Sequence, residues 1–167
     1  MIATEYLSAL WKICNRLEGS QVNWVVTGSL GMALQGVPVA VGDIDIQTDK
    51  AGAYEIEGRF AEAVVKPVRY AESKRIRSYF GMVEVDGLKV EIMGNLQKRL
   101  DDQGWEAPVK VEDYREWVEI ERMRVPVLSL AYEYQAYLKL GRREKAEVLR
   151  RSLEKRYPKR TGGLKSC

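Results

Sequence analysis

Two alternating segments on either side of the dipeptide Asp86-Gly87 constrain the fold of this chain most strongly. Residues 76–85 and residues 88–93 each mix apolar and polar side chains in the pattern of a β-strand. Asp-Gly is a strong signal for a two-residue hairpin turn, because both of its positions tolerate a positive φ. The middle of the chain is therefore predicted to form an antiparallel hairpin.

Helices and further strands are predicted on both sides of this hairpin. Upstream, hydrophobic periodicity indicates helices over residues 4–17, 30–34 and 51–63 and strands over residues 22–26, 43–47 and 64–70. Downstream, a polar loop over residues 98–111 precedes a second hairpin and two helices, over residues 116–120, 124–128, 129–140 and 142–156. The order predicts an α+β (mixed α/β) fold, in which helices flank a mixed β-sheet and a helical pair follows at the C-terminus.

Histidine is absent from the 167 residues, and the cysteines are Cys14 and Cys167. This excludes Ser-His-Asp and Cys-His catalysis as well as zinc sites built from histidine or four cysteines. A general base must then be Asp, Glu, Lys, Tyr or Cys. The net charge of +3 does not by itself indicate a nucleic-acid partner. Since neither a signal peptide nor a membrane-spanning run is evident, the expected location is the cytoplasm, without a membrane partner.

Thr27-Gly28-Ser29 stands between a predicted strand and a predicted helix. Glycine lets a ligand approach the backbone closely, and the free N–H groups at a helix start suit a phosphate. The Ser29 hydroxyl adds one donor. An ordinary helix cap is the alternative interpretation.

Asp43-Ile44-Asp45 and Glu91 supply three carboxylates on predicted strands. Side chains two positions apart on a strand share a face, so Asp43 and Asp45 lie side by side and repel each other unless a cation separates them. If the strand of Glu91 lies beside them, the three carboxylates can hold two metal ions and promote displacement at phosphorus. A solvated acidic strand face is the alternative in both cases.

Gly28-Ser29, thirteen intervening residues, Asp43-Ile44-Asp45-Ile46 and a later acidic strand residue together resemble the DNA polymerase β-like nucleotidyltransferase superfamily. The similarity covers about residues 20–95. Residues 125–153 are similar to the C-terminal helices of its small members, which include lincosamide and aminoglycoside nucleotidyltransferases and AbiEii-type toxins. The resemblance implies a nucleotidyltransferase-like domain over residues 1–128 and a helical segment packing on it over residues 129–157. A basic tail over residues 158–167 is expected to be disordered.

The resemblance also implies a role for each matching residue. Asp43, Asp45 and Glu91 would be the catalytic residues and would bind Mg²⁺, as two ions, with Mn²⁺ as an alternative. Gly28 and Ser29, beside Thr27, would contact the triphosphate of the bound nucleoside triphosphate. The reaction would transfer a nucleoside monophosphate to a hydroxyl and release pyrophosphate. Lys139 and Arg142, near the turn between the last two helices, are further candidates for contacting the triphosphate, or else belong to a solvated helix face.

The chain departs from its small relatives at two places. Many relatives carry Arg or Thr shortly before the first aspartate, where this chain has residues 39–42, and Asp at the position of Ala146. Three functions therefore compete: an enzyme whose acceptor is a small molecule, a protein or an RNA; a non-catalytic module that binds a nucleotide or a protein partner, as antitoxin-like relatives would; and an RNA-binding accessory domain.

Overall fold

Seven strands form one mixed sheet in the computed structural model of the chain, which describes residues 2–101 and 104–158. The order across the sheet is β3-β4-β5-β2-β1-β7-β6. The strands are β1 (Trp24–Thr27), β2 (Ile44–Thr48), β3 (Val64–Glu72), β4 (Ile76–Val85), β5 (Leu88–Lys98), β6 (Arg115–Ile120) and β7 (Met123–Leu128). At the centre β2 runs parallel to β5 and antiparallel to β1, which in turn runs parallel to β7.

Two of the α-helices connect strands, and the others lie before β1 or after β7. They are α1 (Thr4–Leu17), α2 (Gly28–Leu34), α3 (Lys50–Arg59), α4 (Leu130–Lys139) and α5 (Arg143–Arg156), with short 3₁₀ turns at Ala61–Ala63 and Val111–Asp113. The predicted α+β (mixed α/β) class and the predicted hairpin at Asp86-Gly87 are confirmed. The helix predicted over residues 51–63 is shorter, because it ends at Arg59 and a 3₁₀ turn follows. The strand predicted over residues 88–93 continues to Lys98.

The two faces of the central strands have different partners. One face is apolar: its buried side chains pack with those of α1 and α3 in the main core, which includes Val26, Ile44, Ile46, Val90 and Ile92. The other face carries polar side chains, and α4 packs over it through Tyr132, which contacts a small cluster around Val25 and Leu128. One face of the central strands is therefore covered by α1 and α3 and the other by α4.

A bulge in β5 changes which residues of that strand face α4. Asn95 has a φ of +52°, and the pairing of β5 with β4 shifts by one residue between Tyr79↔Gly94 and Arg77↔Gln97. An extra residue in one strand reverses the alternation of the side chains beyond it. Lys98 consequently lies on the same side of the sheet as Glu91, although seven positions separate the two residues.

The start and the end of α4 are both specified locally. The Ser129 hydroxyl caps its start by accepting a hydrogen bond from the Tyr132 N–H at 3.2 Å. Gly141, with a φ of +72°, follows its end and lets the Arg142 N–H donate to the Tyr137 carbonyl at 2.9 Å. This tight turn keeps Arg142 beside α4 before α5 begins.

Two sequence predictions stay predictions. The structure does not test the division of the chain at residues 128 and 129 into two units. The predicted disordered tail lies outside the described residues, apart from Pro158. Among the described residues, no helix is both long enough and apolar enough to cross a membrane.

Candidate active site

Three residues form a row across adjacent strands of the sheet. Asp45 and Glu91 are direct neighbours on the parallel strands β2 and β5, and Thr27 lies beside Asp45 on β1. The strand register pairs Asp45 with Glu91 across β2 and β5, and with Thr27 across β1 and β2. The pKa of Asp45 is raised from its ordinary 3.8 to about 7, first by burial and then by a hydrogen bond with the Glu91 carboxyl. The charges of Glu91, Asp43 and Glu133 add to the effect. The two strands thus hold two carboxyl groups in contact, where ionisation of Asp45 is unfavourable.

Asp43 lies just outside β2, which begins at Ile44 rather than at residue 43 as predicted. The Asp43 side chain is exposed, and its negative charge helps to raise the pKa of Asp45. In the described part of the chain, no three acidic side chains are already gathered as a metal-binding group. The Asp45–Glu91 pair nevertheless fits Mg²⁺ or Mn²⁺. Its donors are carboxylate oxygens, which these hard cations prefer, and a cation between them would remove the repulsion.

Gly28 brings the backbone into contact with the Asp45 carboxylate. Its φ is +65°, and a Cβ atom built on it would overlap the Asp45 Oδ2 atom. Both observations require glycine at this position. The neighbouring Ser29 hydroxyl accepts a hydrogen bond from the Gly42 N–H at 3.0 Å, so it ties the start of α2 to the segment that leads into Asp43.

Glu133 reaches the same place from α4, and the sequence analysis did not identify it. Its Oε1 atom accepts hydrogen bonds from the Thr27 hydroxyl and from the Gly28 N–H, the latter at 3.3 Å. The residue is only 5% exposed, and burial raises its pKa from 4.5 to about 7. Its Oε2 atom is buried without a hydrogen-bond partner among the described residues. An acidic residue in the first turn of a helix is common, so the sequence carried no specific signal.

A cavity of about 270 Å³ separates the polar face of the sheet from α4. Asp45 and Glu91 line it on the sheet side, and Glu133 lines it on the helix side. Its wall also includes apolar side chains, two tyrosines and two cationic residues: Ile76, Met93, Leu96, Leu128, Ala136, Leu140, Tyr132, Tyr137, Lys98 and Arg142. The cavity is therefore acidic near the carboxyl pair and mixed in character elsewhere.

Lys98 is a second cavity residue that the sequence analysis missed. Its side chain is 2% exposed, and its ammonium donates to the Tyr132 hydroxyl at 2.9 Å. Burial lowers the pKa of Lys98, while the carboxylate of Glu106, 3.8 Å from the ammonium, opposes this. The bulge at Asn95 puts Lys98 in the cavity wall, and a regular alternation of side chains would have assigned it to the other face.

The structure brings together most, but not all, of the residues singled out from the sequence. Thr27, Gly28, Asp45, Glu91 and Arg142 line the cavity. The lining does not include three others among the described residues, Ser29, Asp43 and Lys139. The ammonium of Lys139 instead lies 2.7 Å from a carboxylate oxygen of Glu106. The individual roles of all eight residues stay predictions.

A larger groove of about 560 Å³ lies elsewhere, between α1 and the β6–β7 hairpin. Trp11, Trp24 and Trp117 line it, and none of the three acidic residues predicted from the sequence does. The chemistry of the carboxyl pair, rather than cavity size, therefore indicates the candidate site.

Residues 9–153 match the family model described as aminoglycoside-2''-adenylyltransferase. The chain belongs to this aminoglycoside-2''-adenylyltransferase family. The superfamily resemblance inferred from Gly28-Ser29 and Asp43-Ile44-Asp45 is thereby confirmed, and the chain is a nucleotidyltransferase by its family. Comparison with curated protein sequences gives no match.

Solved structures place this aminoglycoside-2''-adenylyltransferase family member beside other nucleotidyltransferases. TM1012 of Thermotoga maritima, a proposed nucleotidyltransferase, is 60% identical, with a TM-score of 0.82 over 93% of this chain and 96% of that one. ANT(2'')-Ia in complex with adenylyl-2''-tobramycin is 13% identical, with a TM-score of 0.58 over 90% of each chain. Lincomycin-bound LnuA, a lincosamide antibiotic adenylyltransferase, is 14% identical, with a TM-score of 0.52 over 75% of this chain and 81% of that one. The two distant structures support the fold alone.

Proposed function

We propose that this chain is a Mg²⁺-dependent enzyme that transfers a nucleoside monophosphate from a nucleoside triphosphate to an acceptor hydroxyl and releases pyrophosphate. One observation carries the proposal: Asp45 and Glu91 form a carboxyl pair on adjacent parallel strands, against the backbone of Gly28. Keeping two partly buried carboxyl groups together is unfavourable without a cation, so the arrangement indicates a metal-binding role rather than a structural one.

Asp45 and Glu91 would hold the metal, and Asp43 would join them from the segment just before β2. Bound there, Mg²⁺ would neutralise charge on the triphosphate and on the leaving pyrophosphate. Two ions are proposed, as the sequence resemblance implies. The chain's own contribution is to keep the acidic side chains in one row of the sheet and to position the nucleotide.

The triphosphate would lie along the start of α2. Gly28 lets the Asp45 carboxylate lie against the backbone at this point, and the Ser29 hydroxyl, which accepts from the Gly42 N–H, adds a donor nearby. Arg142 lies in the cavity wall and would supply a positive charge. Lys139 would contribute more weakly, because Glu106 already neutralises its ammonium.

In the proposed reaction, the acceptor oxygen forms a bond to the α-phosphorus while the bond from that phosphorus to the pyrophosphate oxygen breaks. The hydroxyl proton passes to a carboxylate, for which Glu91 is the proposed residue. A small-molecule acceptor is the best fit. The family model names an aminoglycoside modification, and the cavity is closed on one side by the sheet and on the other by α4.

Calorimetry of nucleotide binding tests the proposal. Wild type should bind ATP or another nucleoside triphosphate in millimolar Mg²⁺ but not in EDTA, and the double substitution Asp43→Ala/Asp45→Ala should abolish binding. Glu112→Ala, which removes an exposed acid elsewhere, is the matched control and should bind as wild type does. Absence of binding to every nucleoside triphosphate by the wild-type protein would overturn the nucleotide site.

A non-catalytic nucleotide- or partner-binding module is the second candidate, and two observations favour it. Glu133 accepts a hydrogen bond from the Gly28 N–H that a phosphate would need, and the position where relatives carry Asp is the buried Ala146. Incubation with α-³²P-labelled nucleotides and candidate acceptors distinguishes the two functions. Mg²⁺-dependent binding without label transfer to any acceptor, or to the protein itself, would favour the module.

A further inference from the structure

The two edges of the sheet differ in how well they are protected from pairing with another strand. At one edge, β3 contains Pro67 and two irregularities in its pairing with β4, flanked by the charged residues Lys66 and Arg69. These are common devices against edge-to-edge association. At the other edge, β6 pairs with β7 over six consecutive residues without an irregularity and contains no proline.

The pairing of β6 with β7 determines which backbone groups point outward. The Ser129 N–H donates to the Tyr114 carbonyl at 3.0 Å, so these two residues form a hydrogen-bonded pair at the end of the ladder. In an antiparallel ladder, hydrogen-bonded pairs recur at every second residue. Residues 116, 118 and 120 therefore bond to β7, and Arg115, Trp117 and Glu119 direct their N–H and C=O groups away from the sheet.

The side chains of these three residues complement a second copy of the same strand. We propose that β6 pairs antiparallel with β6 of a second copy of this chain, with Trp117 opposite Trp117 at the two-fold axis. In this register Arg115 lies opposite Glu119 of the second copy, and Glu119 lies opposite its Arg115. The hydrogen-bonded positions of the new ladder are then the outward-facing residues of both strands.

Neighbouring registers are less favourable. Shifting the pairing by two residues in one direction brings Asp113 opposite Glu119 of the second copy, which is a repulsive pair. Shifting it by two residues in the other direction leaves Glu119 opposite Trp117 and places Arg115 opposite Glu121, which lies in the turn beyond β6. Of these three registers, only the one centred on Trp117 places both Arg115 and Glu119 opposite a β6 residue of opposite charge.

Trp117 gives this contact an apolar centre. This residue is 45% exposed. The guanidinium groups of Arg115 and Arg124 lie over its ring, at 5.1 and 4.4 Å from the ring centroid. It also lines the groove of about 560 Å³ together with Trp11, which is 55% exposed. A paired strand would cover part of this aromatic surface and satisfy the outward backbone groups at once. The interface would be isologous, since each strand offers the same residues to the other.

Sedimentation equilibrium of the full chain tests the proposal, and it does not depend on nucleotide binding. Wild type is expected to dimerise. Arg115→Glu and Glu119→Arg each create two like-charge pairs across the axis and should weaken the dimer about tenfold or more. The combined Arg115→Glu/Glu119→Arg variant restores both pairs with the charges exchanged and should dimerise again.

Mixing the two single variants makes the test specific for this register. Arg115→Glu supplies Glu at both positions and Glu119→Arg supplies Arg at both, so the mixture should form heterodimers while each variant alone stays largely monomeric. Arg69→Glu on β3 is the control and should leave the dimer unchanged, and thermal denaturation of each variant verifies folding. A monomeric wild type at high concentration would overturn the proposal. So would a dimer that is insensitive to both single substitutions, or a mixture that does not associate.

Discussion

The Glu133 carboxylate accepts a hydrogen bond from the backbone N–H of Gly28, and 105 positions separate these two residues in the sequence. The contact joins α4 to the strand–helix junction that we propose as the triphosphate site. When ionised, Glu133 places a buried negative charge near Asp45, whose pKa it helps to raise. A triphosphate bound at the proposed site would therefore be repelled by Glu133 in its ionised form.

Glu133→Gln should strengthen the binding of Mg²⁺·ATP by about fivefold, equivalent to about 1 kcal/mol, because it removes one repulsive charge. The amide oxygen of glutamine can still accept from Thr27 and Gly28, so the packing of α4 is preserved. Calorimetry measures the change, and Glu112→Gln serves as the exposed control. Equal or weaker binding by Glu133→Gln would show that Glu133 does not compete with the triphosphate.

The stability of the metal-free protein should decrease as the pH rises from about 5 to about 8. The pKa values of Glu133 and Asp45 are about 7 in the folded chain, against ordinary values of 4.5 and 3.8. Between these values the folded state binds more protons than the unfolded state, so the free energy of unfolding falls with rising pH, by about 1–3 kcal/mol. Thermal denaturation in EDTA measures the trend, which Glu133→Gln should reduce. A melting temperature that rises over this range would contradict the assignment.

Asp45→Asn should raise the melting temperature of the metal-free protein near pH 8, because it removes a poorly solvated charge beside Glu91. A gain of about 1 kcal/mol is expected. The same substitution should abolish stabilisation by Mg²⁺ and nucleotide, and with it nucleotide transfer. Melting curves with and without Mg²⁺·ATP give both results. The interpretation would be wrong if the variant were less stable than wild type in EDTA yet still stabilised by the ligand.

Gly28→Ala should be more harmful than the same change at Gly19. Both glycines have a positive φ, +65° and +74°, so each alanine brings a similar backbone cost of about 1 kcal/mol. At Gly28 the new methyl group would also overlap the Asp45 carboxylate, whereas at Gly19 no atom of the described residues lies within 4 Å of the place that the methyl group would occupy. Gly28→Ala should therefore displace Asp45 and lose nucleotide binding, and Gly19→Ala should bind normally. Equal affinities in calorimetry would argue against a site at this backbone contact.

Arg142→Ala should raise the KM for the nucleotide about tenfold, because it removes a positive charge from the cavity wall. Lys139→Ala should have a smaller effect, since Lys139 pairs with Glu106 and does not line the cavity. Steady-state kinetics, or nucleotide affinity where no acceptor is known, compares the two variants. A larger effect at Lys139 would reverse the proposed roles.

Local patterns in the sequence were sufficient to predict most of the elements and the side-chain alternation at Asp45, but not which acidic residues are neighbours. The hairpin at Asp86-Gly87 depends on two adjacent residues that tolerate a positive φ, and Asp45 is fixed on one face by the two-residue repeat of a strand. The prediction that Asp45 and Glu91 are neighbours depended on their two strands being adjacent, because no local sequence signal shows which strands pair. The parallel pairing of β2 with β5 fulfils that condition.

The sequence by itself determined the chemistry available to this protein: carboxylates, a glycine at a strand–helix junction, and no histidine. Only the tertiary structure decided which other residues join them. Glu133 reaches Gly28 because α4 packs across the polar face of the sheet, and Lys98 enters the cavity because the bulge at Asn95 reverses the alternation of β5. The first effect depends on a contact between segments far apart in the chain, and the second depends on one irregular residue. Neither can be predicted from the regular periodicity of the sequence.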